Sequence, residues 1–117
     1  VALSSSDHRL ALTTHECSGF VYAASLMGVT GTRAQVADTA ETLVRRTREV
    51  TRESKLPICV GLGISNASQA AEVAAYADGV IVGAGFCQRV LDAPDLDTAR
   101  TAVRSFAQEL AAGVRAR

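Results

Sequence analysis

The sequence has no excess charge of either sign and no block of like charge: 12 basic residues face 12 acidic ones. That balance argues against a nucleic-acid footprint or a membrane-surface stripe, and leaves a small ligand or a protein as the expected partner. It also lacks any run of about 18 apolar residues, and no charged-then-apolar leader opens it. A soluble, cytoplasmic protein is the expectation. Cysteine is scarce and odd in number, at Cys17, Cys59 and Cys87. The three are widely spaced, which speaks against a disulfide framework or metal ligation and predicts buried small hydrophobes. His8 and His15 have no metal-ligand spacing and are expected on a helix surface. There is no initiator Met, and Val1-Ala2-Leu3 reads as the tail of a strand, so a fragment is expected.

What the chain does have is a strand, a glycine turn and a helix, written twice. Leu56-Pro57-Ile58-Cys59-Val60-Gly61-Leu62-Gly63-Ile64-Ser65 leads to one helix, and Asp78-Gly79-Val80-Ile81-Val82-Gly83-Ala84-Gly85 to another. Glycine at such turns lets backbone N–H groups approach a bound group, and a helix start adds unpaired N–H groups and the positive end of its dipole. Two such turns side by side predict an anion cradle, with phosphate the natural guest. For any single glycine, tight helix–strand packing without a ligand is the competing explanation.

Around these turns the pattern predicts alternating helices and strands. Ser4-Ser5-Ser6-Asp7 caps a helix over His8 to Cys17, and Gly19 to Ser25 forms a strand apolar enough to be covered on both faces. The loop Leu26 to Arg33 either merely turns or folds over a ligand. Ala34 to Glu53 makes the longest helix, with Val36, Ala40, Leu43, Val44, Thr47 and Val50 inward and Arg45, Arg46, Arg48 and Arg52 on a solvated face. Pro57 opens the strand Ile58 to Gly61. Asn66 and Gln69 form a capping box for a helix through Ala77, burying Ala70, Val73, Ala74 and Ala77. After the strand Gly79 to Val82 come a short helix bearing Phe86, Val90 and Leu91 and, past Pro94, a last helix packing Ala99, Val103, Phe106 and Leu110. Strands alternating with helices imply a parallel α/β sheet with right-handed crossovers. Three strands and a stub amount to about half of an eight-stranded barrel, which needs about 250 residues. Residues 1–117 are thus a single partial domain whose two sheet edges lack partners, an aggregation hazard.

The stretches Gly19 to Gly31, which ends in Gly28-Val29-Thr30-Gly31, Pro57 to Ser65, and Ala77 to Ala84 together resemble the tryptophan synthase alpha subunits, over the C-terminal half of that family's (β/α)8 TIM barrel. The resemblance implies a lyase of tryptophan biosynthesis that cleaves indole-3-glycerol phosphate to indole and glyceraldehyde 3-phosphate, and a beta subunit that takes the indole. No cofactor is implied for this chain, since pyridoxal phosphate belongs to the beta subunit. By the same resemblance, backbone donors at Gly31, Gly63, Gly83 and Ala84 hold the phosphate. Tyr22 matches a tyrosine near the reacting centre, and Thr30 the loop threonine that closes toward the catalytic aspartate. Leu62 stands where an aromatic residue often flanks the indole, so ring contact there is expected to be looser.

Two departures qualify that picture. Ala84 replaces the family's usual serine, and losing a hydrogen bond to a charged group, worth roughly 1.5 to 3 kcal/mol, lowers phosphate affinity by about one to two powers of ten unless water substitutes. The family's glutamate and aspartate acid/base pair lies in the missing N-terminal half, so no catalytic residue is expected in this portion. Glu41, Glu49, Glu53 and Glu72 are expected at the solvated surface, and Asp78 at the N-terminal, stability side of its strand. Two readings compete: another phosphate-binding (β/α) barrel enzyme, against which Gly28-Val29-Thr30-Gly31 argues, and a non-catalytic half-barrel binding a phosphorylated ligand.

Overall fold

Eight elements alternate along the chain: α1 (Asp7–His15), β1 (Val21–Ala24), α2 (Arg33–Val50), β2 (Ile58–Gly61), α3 (Ala67–Ala74), β3 (Gly79–Ile81), α4 (Ala84–Asp92) and α5 (Leu96–Arg115). The computed structural model describes residues 1–24, 33–61 and 63–116, with side chains in α2 described from residue 39 onward. The three strands form one parallel sheet in the order β1-β2-β3. The chain start adds a short parallel contact beside β1, where Ala2 pairs with Ala24 and the Val1 carbonyl accepts from the Ala24 N–H at 2.9 Å. The stub therefore takes a fourth strand position, as expected.

The alternation of side chains along the strands decides where the core lies. Val21, Ala23, Ile58 and Val60 point to one face and are buried there against Leu43, Val44, Ala70, Val73, Phe106 and Leu110 of the helices. Burying each larger side chain contributes about 1.5 to 3 kcal/mol. The opposite face carries Tyr22 and Ala24, both exposed. Coverage of β1 on both faces is thus not found among the described residues, because all the packed helices lie on the first face. The strand itself is shorter than Gly19 to Ser25, and Ser25 lies outside the described residues.

Local chemistry sets the element ends. Ser6 caps α1 by accepting from the Arg9 N–H, and Asp95 caps α5 by accepting from the Thr98 N–H at 2.7 Å. α2 ends at Val50 rather than Glu53: residues 51–55 continue as turns, with Lys55 in the left-handed region (φ 54°) and Pro57 just beyond. α3 stops at Ala74, three residues before Ala77, although Ala77 remains buried. β3 ends at Ile81, one residue before Val82.

Two arginines of α2 do more than face solvent. Arg46 donates to the Leu3 and Ser5 carbonyls and pairs with Asp7, tying α2 to the segment after the stub. Arg48 pairs with Asp78 at 3.0 Å and donates to the Tyr76 carbonyl, while Asp78 accepts from the Ile58 N–H at 2.9 Å. Asp78 thus locks the starts of β2 and β3 together, a structural role on the N-terminal side of the sheet. The cysteines depart from expectation: Cys17 and Cys59 are only partly buried and Cys87 is exposed, because α4 buries none of its residues. Burial, then the nearby Asp78, pushes the Cys59 thiol above its ordinary pKa. His8 and His15 lie exposed on α1.

Candidate functional site

Parallel strands in register deliver their following loops to one edge. Gly61 pairs with Ile81, so Gly63 and Gly83 each stand two residues beyond paired positions on neighbouring strands, which run about 4.8 Å apart. Ala24 pairs with Gly61, so the segment after β1 leaves from the same edge. Thr30 and Gly31 of that segment, and Leu62, lie outside the described residues.

The glycines divide by what surrounds them. At Gly61, Gly79, Gly85 and Gly113 a Cβ would collide with a neighbouring residue, so packing accounts for them. At Gly19, Gly63 and Gly83 no described atom would come within 4 Å of a Cβ, and of these Gly19 precedes β1 at the opposite edge of the sheet while Gly63 and Gly83 follow β2 and β3. Gly63 needs glycine for its backbone, with φ at +71°, whereas Gly83 has φ −121° and no such requirement. Both are exposed at the carboxyl edge of the sheet.

The helices behind the two turns differ, which the twin motif did not foretell. α3 is closed by its own residues: Asn66 Oδ1 accepts from the Gln69 N–H at 2.9 Å, and Gln69 Oε1 accepts from the Ser65 N–H at 2.7 Å and from the Ser65 hydroxyl. The capping box is present with its return bond one residue earlier than expected. Ile64, 4% exposed, pins the loop between Gly63 and this cap to the core. α4 starts instead at Gly83, without a side-chain cap. The Gly83 carbonyl accepts from Phe86 and Cys87 N–H at 3.0 and 3.2 Å, leaving the Ala84 and Gly85 N–H groups at the open first turn. Ala84 contributes a methyl group there and no hydroxyl.

Tyr22 rises from β1 on the open face, 47% exposed. A Cβ on Gly61 would stand 2.9 Å from Tyr22 Cζ, so the missing side chain at Gly61 is what lets the phenol lie across β2 toward the Gly63 loop. Gly79 makes the same allowance for the Cys59 sulfur, at 2.8 Å. Gly61 was legible only as a strand end, and its steric role needs Tyr22 beside it. Glu41, Glu49, Glu53 and Glu72 are exposed, Glu53 in the turn after α2 rather than within a helix. Among the described residues no three His, Cys, Asp or Glu side chains gather in a metal-binding group, and no helix is long and apolar enough to cross a membrane.

Comparison with known proteins gives a consistent result. The family model described as tryptophan synthase alpha chain matches residues 1–115. The chain is 76% identical over 116 residues to the tryptophan synthase alpha chain of Thermobifida fusca and 64% identical over 115 residues to that of Streptomyces coelicolor. It covers 99% and 98% of itself in these matches but only 43% and 41% of the relatives. A crystal structure of Mycobacterium tuberculosis tryptophan synthase in an open form superposes with a TM-score of 0.77 at 40% identity, covering 98% of this chain and 39% of that one. The chain therefore spans about two-fifths of the length of these relatives, and the sheet with its helices is about half of their (β/α) barrel. With that share of the barrel matched almost end to end, the chain belongs to the tryptophan synthase alpha chain family.

Proposed function

We propose that this chain supplies the phosphate-holding part of a lyase that cleaves indole-3-glycerol phosphate to indole and glyceraldehyde 3-phosphate. The observation that carries the reading is the pair Gly63 and Gly83: two glycines at matched positions on one sheet edge, with open space where packing would otherwise explain them. Backbone N–H groups at Gly63, Gly83 and Ala84 donate to the phosphate oxygens, and the uncapped start of α4 favours their negative charge. Gly31 completes the set from the neighbouring loop. Tyr22 lines the indole side of the pocket with Leu62, and Thr30 closes over the substrate. Proton transfer to the indole ring and from the substrate hydroxyl requires an acid/base pair, which residues outside this chain contribute. The partners are then the remainder of the barrel and a pyridoxal-phosphate-dependent beta subunit that consumes the indole, in the cytoplasm.

The test is a phosphate titration of the full-length protein followed by backbone amide NMR. The largest shifts are expected at Gly63, Gly83 and Ala84. Gly63→Val, which forces a β-branched residue to positive φ, should lower stability by about 1 to 2 kcal/mol and weaken phosphate binding by about tenfold or more. Shifts confined to other residues, or unchanged affinity in Gly63→Val, would defeat the reading.

A further inference from the structure

The first turn of α4 has little of its own to hold it. Glycine occupies positions 83 and 85, no side chain caps the turn, and none of the helix is buried, so fraying is the default for such an end. What opposes fraying comes from α5. Phe106 is 1% exposed, and its ring meets Phe86 at 4.7 Å between centroids, tilted by 58°. The Arg89 guanidinium lies over the same ring with Cζ 3.5 Å from the centroid, and its Nη1 donates to the Gly85 carbonyl at 2.9 Å. Gly85 itself approaches so closely that a Cβ would stand 2.8 Å from Phe106 Cε2. Three contacts from α4 thus converge on one aromatic ring, and two of them belong to the residues directly after Ala84.

Arg89 belongs to the last turn of α4, but its side chain runs back four residues to the Gly85 carbonyl, which carries the charge toward the positive end of the dipole and costs something on that account. The face of Phe106 and the Gly85 carbonyl offset this for Arg89, and a planar guanidinium can lie flat on a ring while donating in its own plane. We propose that Arg89 is the positioning residue of the phosphate cradle. By tying the Gly85 carbonyl to the Phe106 ring it replaces the missing cap and fixes the direction of the Gly83 and Ala84 N–H groups. This rests on the phosphate reading given above, and Arg89 acts through the backbone without touching the ligand.

The experiment compares inorganic phosphate affinity by calorimetry, and Tm without phosphate, in the full-length wild type, Arg89→Met and Arg89→Lys. Arg89→Met should bind phosphate about three- to tenfold more weakly, the effect of losing one hydrogen bond, with Tm nearly unchanged because the Met side chain still covers the Phe106 ring and the Phe86 contact remains. Arg89→Lys keeps the cation and a donor for the carbonyl but not the plane that lies flat on the ring, and should recover part of the affinity lost in Arg89→Met. Wild-type affinity in Arg89→Met overturns the proposal. So does equal weakening in both variants with Tm falling in step, which would mean general loosening. A wild type without phosphate affinity overturns the cradle itself along with it, and is told apart because failure of the Arg89 role alone leaves wild-type binding intact.

Discussion

Tyr76 illustrates how much one atom decides. It follows α3, its carbonyl is held by Arg48, and its hydroxyl is buried with no hydrogen-bond partner among the described residues. Burial, then the charges of Glu41 and Glu72, pushes its pKa up to about 12 from an ordinary 10.0. Between these values the unfolded chain has lost the phenolic proton while the folded chain keeps it, so stability falls as pH rises through that window and is unaffected by this group below it. Urea denaturation followed from pH 9 to 12 should show this loss in wild type and a smaller one in Tyr76→Phe. At neutral pH, removing an unsatisfied buried hydroxyl should make Tyr76→Phe more stable by about 1 kcal/mol. Equal or lower stability in the variant would show that the hydroxyl has a partner in solution.

Among the elements, caps separate the helices by role. α1, α3 and α5 begin with Ser6, Asn66 and Asp95, each accepting a backbone N–H, whereas α4 begins with bare glycine. Asn66→Ala should cost about 1 kcal/mol, and because Gln69 also holds Ser65, amide hydrogen exchange at Ser65 and Gln69 should quicken. Unchanged exchange there would mean the loop is held by Ile64 alone. In α5, backbone and then side-chain hydrogen bonds from Thr98 hold the Asp95 carboxyl below its ordinary 3.8. Its contribution is therefore present above that value and is lost as pH falls through the lower folded one. Acid titration followed by amide exchange should find the start of α5 opening before its centre.

On the scale of the whole molecule the shape is open. The Cα radius of gyration is 15.5 Å, with extents of 48 × 32 × 25 Å, against about 13 Å for a compact chain of this length. Tyr22 and Phe20 are exposed, and no described strand pairs with the outer edge of β3. An uncharged, unpaired edge recruits another strand. Expressed as these 117 residues, the chain should elute from a sizing column above its monomer mass of 12.2 kDa. A sharp monomer peak with cooperative unfolding would show that the half-barrel is self-sufficient.

The sequence by itself determined the order of strands and helices, the inward stripe of α2 from Ala40 to Thr47, and the caps at Ser6 and Asn66. These depend on periodicities and bonds spanning a few residues, which a linear reading contains. It also placed Gly63 and Gly83 at strand ends, but could not separate them from Gly61, Gly79 and Gly85. Only the tertiary structure decided that, because a glycine's role depends on what occupies the space its side chain would take, and at Gly61 this is Tyr22 from another strand. For the same reason Arg46 and Arg48 read as a solvated face until the carbonyls and carboxylates they hold were brought beside them. Arg89 gave no signal at all, since its meaning lies in Phe106, a residue on the next helix.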